Sequence, residues 1–245
     1  MTTTPTPVRP AEEVARLRAV AEEGARTLRS GSGAEARADE VAQWAAETFP
    51  GTLAVACSMA DLVLPHLVSQ HARGVDVLFL ETGYHFPETL SVRRATDFVL
   101  PVRVVDVLPA QTVAEQDATH GPRLHERDPS LCCALRKVDP LARALAGYDA
   151  WVTGVRRVES PTRTLTPLVT FDELHGLVKI NPLAAWTDDE LVAYAQEHGV
   201  LLNPLLADGY PSIGCAPCTA RVAPGADPRS GRWAGLAKTE CGIHR

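Results

Sequence analysis

Apolar and polar positions alternate with two periods along the chain, and the switches between them outline its elements. Val14, Leu17, Val20 and Ala21 fall at helical spacing, which predicts an amphipathic helix over Ala11 to Ser30. Ser30-Gly-Ser-Gly33 reads as a linker, and a second helix is predicted from about Glu40 to Phe49. Short apolar runs at Leu53 to Ala56, Val75 to Leu80, Val102 to Val107 and Trp151 to Val155 read as strands. Helical patterns at Asp61 to Ala72, Pro87 to Phe98 and Cys132 to Ala146 separate them. This alternation predicts an α/β fold with a largely parallel central sheet, which binds ligands at the carboxyl ends of its strands. Val178 to Pro182 adds an extended piece. Thr187-Asp-Asp-Glu190 reads as a capping box that opens a helix ending near Gly199.

From Asn203 the periodicity fades, and the last forty or so residues are rich in Gly, Pro, Arg and Cys. That composition suits a functional tail better than packed core. The expected organisation is an N-terminal helical segment over 1–50, an α/β core over 51–204 and a mobile C-terminal tail over 205–245. No internal repeat is present, and the Thr/Pro-rich first ten residues should fray.

Charge and composition narrow the class. The chain has 245 residues and a formal net charge of −6, which disfavours a general nucleic-acid binder. It has no apolar run of about 18 residues and no apolar stretch near Met1, so neither a membrane span nor a secretory signal is expected. A cytoplasmic location follows as the expectation. In a reducing compartment the six cysteines are ligands or reactive thiols rather than disulfides.

Cys215-Ala-Pro-Cys218 is a C-x-x-C, shared by zinc, iron–sulfur and redox sites. Together with Cys132-Cys133 it supplies four thiolates, enough for one tetrahedral zinc or one four-iron cluster. Adjacent helical residues diverge by about 100°, which suits a bulky cluster better than one small ion. Arg136 and Lys137 each lie four residues after one of the paired cysteines, so a continuous helix would put two cations one turn from two sulfurs. Cys241, near His244 and Lys238, reads either as a reactive thiol on a swinging tail or as incidental. Cys57 ends a strand and reads as a small packing residue.

Arginines cluster in Thr153-Gly-Val-Arg-Arg-Val-Glu-Ser-Pro-Thr-Arg163 and in Asp227-Pro-Arg-Ser-Gly-Arg-Trp233, and such forks suit phosphate or sulfate oxygens. The strand-to-helix turn Cys57-Ser-Met-Ala-Asp61 could offer backbone N–H groups to an anion. It lacks the P-loop pattern, which disfavours an ordinary kinase or ATPase.

The segments Leu80-Glu-Thr-Gly-Tyr-His-Phe-Pro-Glu-Thr89, Cys132-Cys-Ala-Leu-Arg-Lys137, Trp151-Val-Thr-Gly-Val-Arg-Arg157, Gly209-Tyr-Pro-Ser-Ile-Gly-Cys-Ala-Pro-Cys-Thr219, Arg229-Ser-Gly-Arg-Trp233 and Glu240-Cys-Gly-Ile-His244 together carry a resemblance. From about Leu53 to His244 the chain resembles the assimilatory adenylyl-sulfate reductases, the iron–sulfur, thioredoxin-dependent branch of the phosphoadenylyl-sulfate reductase family. The resemblance implies an adenine-nucleotide α-hydrolase-like fold and a nucleotide-binding core. It implies a [4Fe–4S] cluster on Cys132, Cys133, Cys215 and Cys218, with Lys137 between cluster and substrate sulfate. Gly154, Arg163, Arg229, Arg232 and His244 would contact adenylyl sulfate, Ser58, Leu80 and Gly83 would hold the nucleotide, and Cys241 would be the nucleophile. The expected reaction is reduction of adenylyl sulfate to sulfite and AMP, with thioredoxin as reductant. The family's strand-to-helix turn usually carries serine where this chain has Cys57, so no substrate contact is carried over to that side chain. Competing readings are a reductase that also takes the 3′-phosphorylated nucleotide and a non-enzymatic iron–sulfur redox sensor. An ATP-dependent enzyme of the same fold would need glycines that the Cys57 turn lacks.

Overall fold

Six strands build the central sheet among the described residues, which are 9–29, 33–235, 238 and 240–243 of the computed structural model. They are β1 (Leu53–Ala56), β2 (Asp76–Leu80), β3 (Arg103–Val107), β4 (Ala150–Val152), β5 (Val169–Asp172) and β6 (Leu177–Ile180). Their order is β3-β2-β1-β4-β6-β5. All pairings are parallel except β5 on β6. Val55 registers with Val77 on one side and Val152 on the other, and all three are fully buried. These strands read as apolar runs because helices cover both faces of a parallel sheet. The α/β expectation holds, and the strand order reverses beside β1. The loops after β1 and β4 therefore open the crevice where such sheets bind ligands.

Nine α-helices surround the sheet among the described residues: α1 (Ala11–Thr27), α2 (Ala38–Thr48), α3 (Val63–Ser69), α4 (Pro87–Val99), α5 (Val113–His120), α6 (Leu124–Arg127), α7 (Pro129–Cys133), α8 (Asp139–Leu145) and α9 (Asp188–Glu197). The α9 cap forms as its sequence predicts: Thr187 Oγ1 accepts from Glu190 N at 3.2 Å, and Thr187 N donates to the Glu190 carboxylate at 2.7 Å. Thr112 and Glu115 cap α5 in the same way, a signal that the reading of apolar periods passed over. The edge strand β5 was likewise not expected. It is short, starts two residues after a proline and mixes Thr and Asp with apolar residues. No helix among the described residues is long and apolar enough to cross a membrane.

One structural correction falls on the segment expected to be a single helix from Cys132 to Ala146. It starts at Pro129, where Asp128 Oδ1 accepts from Ser130 N and Leu131 N, and it passes through a π-helical turn at Ala134–Val138 before α8. Pro140 explains the wider turn, because proline has no N–H for residue 136 and its ring crowds that carbonyl. Residues four apart no longer stack through this turn, so the predicted match of Arg136 with Cys132 and Lys137 with Cys133 is not simply helical.

Candidate active site

The two cysteine pairs, far apart in sequence, line one small cavity. Cys132 and Cys133 come from the end of α7, whereas Cys215 caps and Cys218 ends a 3₁₀ turn in the tail. Ala216 N donates to Tyr84 O at 2.7 Å, which docks that turn onto the loop after β2. Tyr84, His125, Pro129, Arg136, Lys137 and Trp233 complete the lining. None of the six cysteines is in a disulfide. Cys132, Cys133, Cys215 and Cys218 are thus the residues that could hold an iron–sulfur group or a metal. Among the described residues no three His, Cys, Asp or Glu side chains converge at the spacing of a single ion.

Electrostatics separates the four thiols. Burial and the neighbouring sulfurs push Cys132 up to about 12 and Cys218 up to about 11. Burial also raises Cys133, although Lys137 and Lys238 oppose it. Cys215 moves the other way: burial opposes ionisation, but the Lys137 ammonium and the Thr82 hydroxyl outweigh it. Thr82 Oγ1 lies 3.4 Å from Cys215 Sγ. Lys137 responds reciprocally, since burial favours its neutral form but Cys215 and Cys241 hold the proton on. Lys137 is thus within electrostatic reach of Cys215, Cys133 and the tail thiol Cys241. The buried Trp233 Nε1 and His125 Nδ1, both on the cavity's residues, have no hydrogen-bond partner.

Arg136 takes another role. Its guanidinium donates to Thr82 O, to Gln111 O at 3.3 Å and to Gln116 Oε1 at 3.1 Å, and it lies over the Tyr84 ring. It braces the loops around the cavity while still favouring the Cys132 thiolate, whereas Lys137 acts on Cys133, Cys215 and Cys218.

The first arginine cluster also divides. Arg156 pairs with Asp188 at 2.6 Å, and Arg157 grips both Glu35 oxygens at 2.7 Å. Arg163 alone turns toward the tail, where it and Arg229 both bind the Glu240 carboxylate. Arg232 is held by Ile213 O at 3.2 Å and stacks on Trp233, with its guanidinium tucked where a side chain on Gly214 would collide. Burial and Arg229 lower its affinity for a proton, while Cys241, Cys215 and Cys218 oppose that. Arg232, Lys137 and Cys241 are thus within electrostatic reach of one another.

Three sets of expected nucleotide contacts lie at strand ends. Ser58 is exposed in the turn after β1. Within that turn, Met59 N points at Cys57 Sγ at 3.4 Å and Cys57 Sγ faces Asp61 O at 3.4 Å, so the thiol takes one of the backbone donors expected for an anion. Burial pushes Cys57 up to about 12, which fits a packing residue. Leu80 ends β2, and its carbonyl lies 2.9 Å from His85 Nε2. Gly83 donates its N–H to Glu81 at 2.7 Å. Gly154 is exposed just past β4, over Leu64 of α3. His244 lies outside the described residues.

The structure thus gathers Cys132, Cys133, Cys215, Cys218 and Lys137 around one cavity, with Arg232 and Cys241 within electrostatic reach, and brings Arg163 and Arg229 onto one carboxylate. Sequence reasoning missed Thr82 and His125, and took Glu240 only as a charge opposing the Cys241 thiolate. Thr82 and Glu240 stood inside quoted motifs, but only the fold brings a hydroxyl to Cys215 and a carboxylate to two arginines. A larger cavity of about 630 Å³, lined by His66, Trp186, Tyr194 and His198 among others, shares no residue with the cysteine cavity.

Comparison with known proteins points the same way. The model of the phosphoadenosine phosphosulfate reductase domain matches residues 52–221. The chain is 57% identical over 228 residues to the adenosine 5'-phosphosulfate reductase of Streptomyces coelicolor, covering 93% of this chain and 94% of the relative. The Mycolicibacterium smegmatis protein of the same name is equally similar, at 57% over the same shares. Among solved structures, a phosphoadenylyl-sulfate reductase from Candida auris aligns with a TM-score of 0.63 at 29% identity, over 89% of this chain and 100% of that one. An FMN adenylyltransferase from Candida glabrata aligns with a TM-score of 0.51 at 12% identity, over 95% and 84%, which is a likeness of fold alone.

Proposed function

The chain belongs to the phosphoadenosine phosphosulfate reductase family, and from that premise we propose that it reduces adenylyl sulfate to sulfite and AMP in sulfate assimilation, with thioredoxin as the source of electrons. The observation that carries this reading is one cavity lined by Cys132, Cys133, Cys215, Cys218 and Lys137, with the tail thiol Cys241 within electrostatic reach of Lys137. Relatives matching nine-tenths of the chain bear the name adenosine 5'-phosphosulfate reductase.

The residues fit a [4Fe–4S] cluster. Cys132, Cys133, Cys215 and Cys218 offer a four-thiolate donor set, and the unpartnered Trp233 and His125 nitrogens suit a group with further sulfur acceptors. When bound, such a cluster supplies fixed negative charge and a rigid anchor for the tail. Lys137 is the cation that balances it.

The chemistry then runs on this chain's own groups. Arg163, Arg229, Arg232 and Lys137 neutralise the phosphate and sulfate oxygens, and His244 contributes from the tail's end. Ser58, Leu80, Gly83 and Gly154 line the crevice for the nucleotide. The Cys241 thiolate attacks the sulfur of adenylyl sulfate. An S–S bond forms, the S–O bond to AMP breaks, and AMP leaves with the electron pair. A thioredoxin thiolate then attacks Cys241 Sγ and releases sulfite as the S-sulfonate bond breaks. The second thioredoxin thiol resolves the mixed disulfide, so the two electrons come from the dithiol. The tail must close for the first step and open for the second.

Labelled adenylyl sulfate and mass spectrometry test this directly. Wild-type enzyme should carry a sulfonate on the Cys241 peptide, which reduced thioredoxin removes. Adduct formed as efficiently in Cys241→Ser would sink the assignment. Anaerobically purified protein should be brown with about four irons per chain, whereas colourless protein with one zinc would overturn the cluster.

A further inference from the structure

The residue before the proposed nucleophile holds the arginines proposed for the substrate. Arg163 Nε and Nη2 reach Glu240 Oε1 and Oε2 at 3.1 and 2.9 Å, and Arg229 Nη2 reaches Oε2 at 3.1 Å. Thr162 Oγ1 adds a contact at 3.4 Å. The Arg163 and Arg229 side chains are only 13% and 16% exposed, so this is a recessed anion site rather than a surface pair. Its two guanidiniums come from different segments, the loop after β4 and the tail itself. A carboxylate with two-point contact to one arginine and a third contact from another occupies the geometry of a phosphate or sulfate.

We propose that Glu240 is an internal anion that latches the tail: its carboxylate occupies the Arg163–Arg229 site in the free enzyme, and the substrate's phosphate and sulfate displace it. This deepens the reading above and rests on it for the identity of the displacing anion. Charge decides the exchange. Glu240 offers one negative charge, and the phosphosulfate group of adenylyl sulfate offers two. Arg163 retains a second carboxylate, Glu159, at 2.5 Å, so its guanidinium stays positioned while Glu240 leaves. Glu240 and Cys241 are adjacent, so moving the carboxylate off the arginines re-aims the thiol. The same displacement couples anion binding to release of the tail from its resting position, so that it can close over the substrate, and the latch reforms only after AMP and sulfite have both left.

The test follows Cys241 rather than turnover. Holoenzyme purified anaerobically is treated with iodoacetamide, and alkylation of the Cys241 peptide is timed by mass spectrometry. Glu240→Gln should be alkylated about fivefold faster than wild type without any ligand, the effect of losing a partly screened ion pair. AMP should accelerate alkylation of wild type and leave Glu240→Gln unchanged, and Glu240→Asp should fall between. KM for adenylyl sulfate should fall in Glu240→Gln, because a competitor for the arginines is gone. A residue that merely braces the tail would raise it. Equal rates in wild type and Glu240→Gln without ligand overturn the latch, as does AMP that slows alkylation or accelerates both proteins alike. If the ligand-free difference appears but AMP does not bind, the latch stands and the adenylyl-sulfate reading fails.

Discussion

Strands β1, β2, β4 and β6 bury Val55, Val77, Trp151 and Ile180 completely, whereas residues after Asn203 form neither strand nor α-helix among the described residues. The sheet gains order from apolar area, which no single contact controls. The tail gains it from particular pairs: Ala216 N to Tyr84 O, Trp233 N to Cys218 O at 3.0 Å and Ala220 N to Gly231 O at 2.8 Å. It still buries Leu205, Ile213, Cys215 and Trp233, so it is more packed than its composition suggests. Trp233 sits at φ 48°, a left-handed backbone that costs roughly 1–3 kcal/mol and persists only because its neighbours fix it. The contrast is between a scaffold that tolerates small changes and an appendage held by a few particular contacts.

Two neighbouring residues put that contrast to its hardest test. On the proposed mechanism Lys137→Met should lower kcat/KM by about 10²–10³-fold, through loss of a charge facing the developing anion, while urea unfolding changes little. Arg136→Leu should do the reverse. It leaves Thr82 O, Gln111 O and Gln116 Oε1 without their donor, which should cost roughly 3 kcal/mol in urea unfolding. Equal stability losses from both substitutions would erase the distinction between brace and reagent.

Gly231→Ala probes the tail alone. A Cβ there would collide with the Ala220 carbonyl oxygen, which is backbone and cannot swing aside. The expected outcome is faster proteolysis after Asn203 and reduced iron retention, with the main thermal transition shifted by only about 2 °C. A large drop in the main transition would show that the tail and sheet unfold as one unit.

The same contrast explains what was legible in the sequence. Strand runs and the Thr187 cap could be read because apolar period and capping chemistry are local. The π turn was not, because Pro140 alters a helix that apolar spacing alone would continue. The cysteine set was grouped as one four-thiolate site from its motifs and their resemblance, although its halves lie on α7 and on the tail, and the fold places all four around one cavity. The arginine clusters misled in part. Sequence proximity grouped Arg156, Arg157 and Arg163, but Asp188 and Glu35 draw two of them away. No local signal names Thr82, which becomes a partner of Cys215 only when the tail folds back over β2.

The smallest expected effect lies at the far end of the sheet. Asp76 opens β2, and its carboxylate accepts from the Arg103 guanidinium and from Tyr148 Oη at 2.7 Å. Burial opposes ionisation, but these partners outweigh it and hold the carboxyl below the usual range. A depressed carboxylate stabilises the fold above its unfolded value of about 3.9 and loses that contribution as pH falls through the lower folded value. Arg103 is mostly exposed, so water screens the pair and its share is at most about 1 kcal/mol. Urea midpoints of wild type and Asp76→Asn should therefore differ modestly at pH 7 and converge as pH drops below about 4. Since Asp76 lies at the strand end opposite the cavity, Asp76→Asn should leave kcat/KM near wild type at pH 7. A tenfold loss there would show that the scaffold's polar edge reaches the chemistry after all.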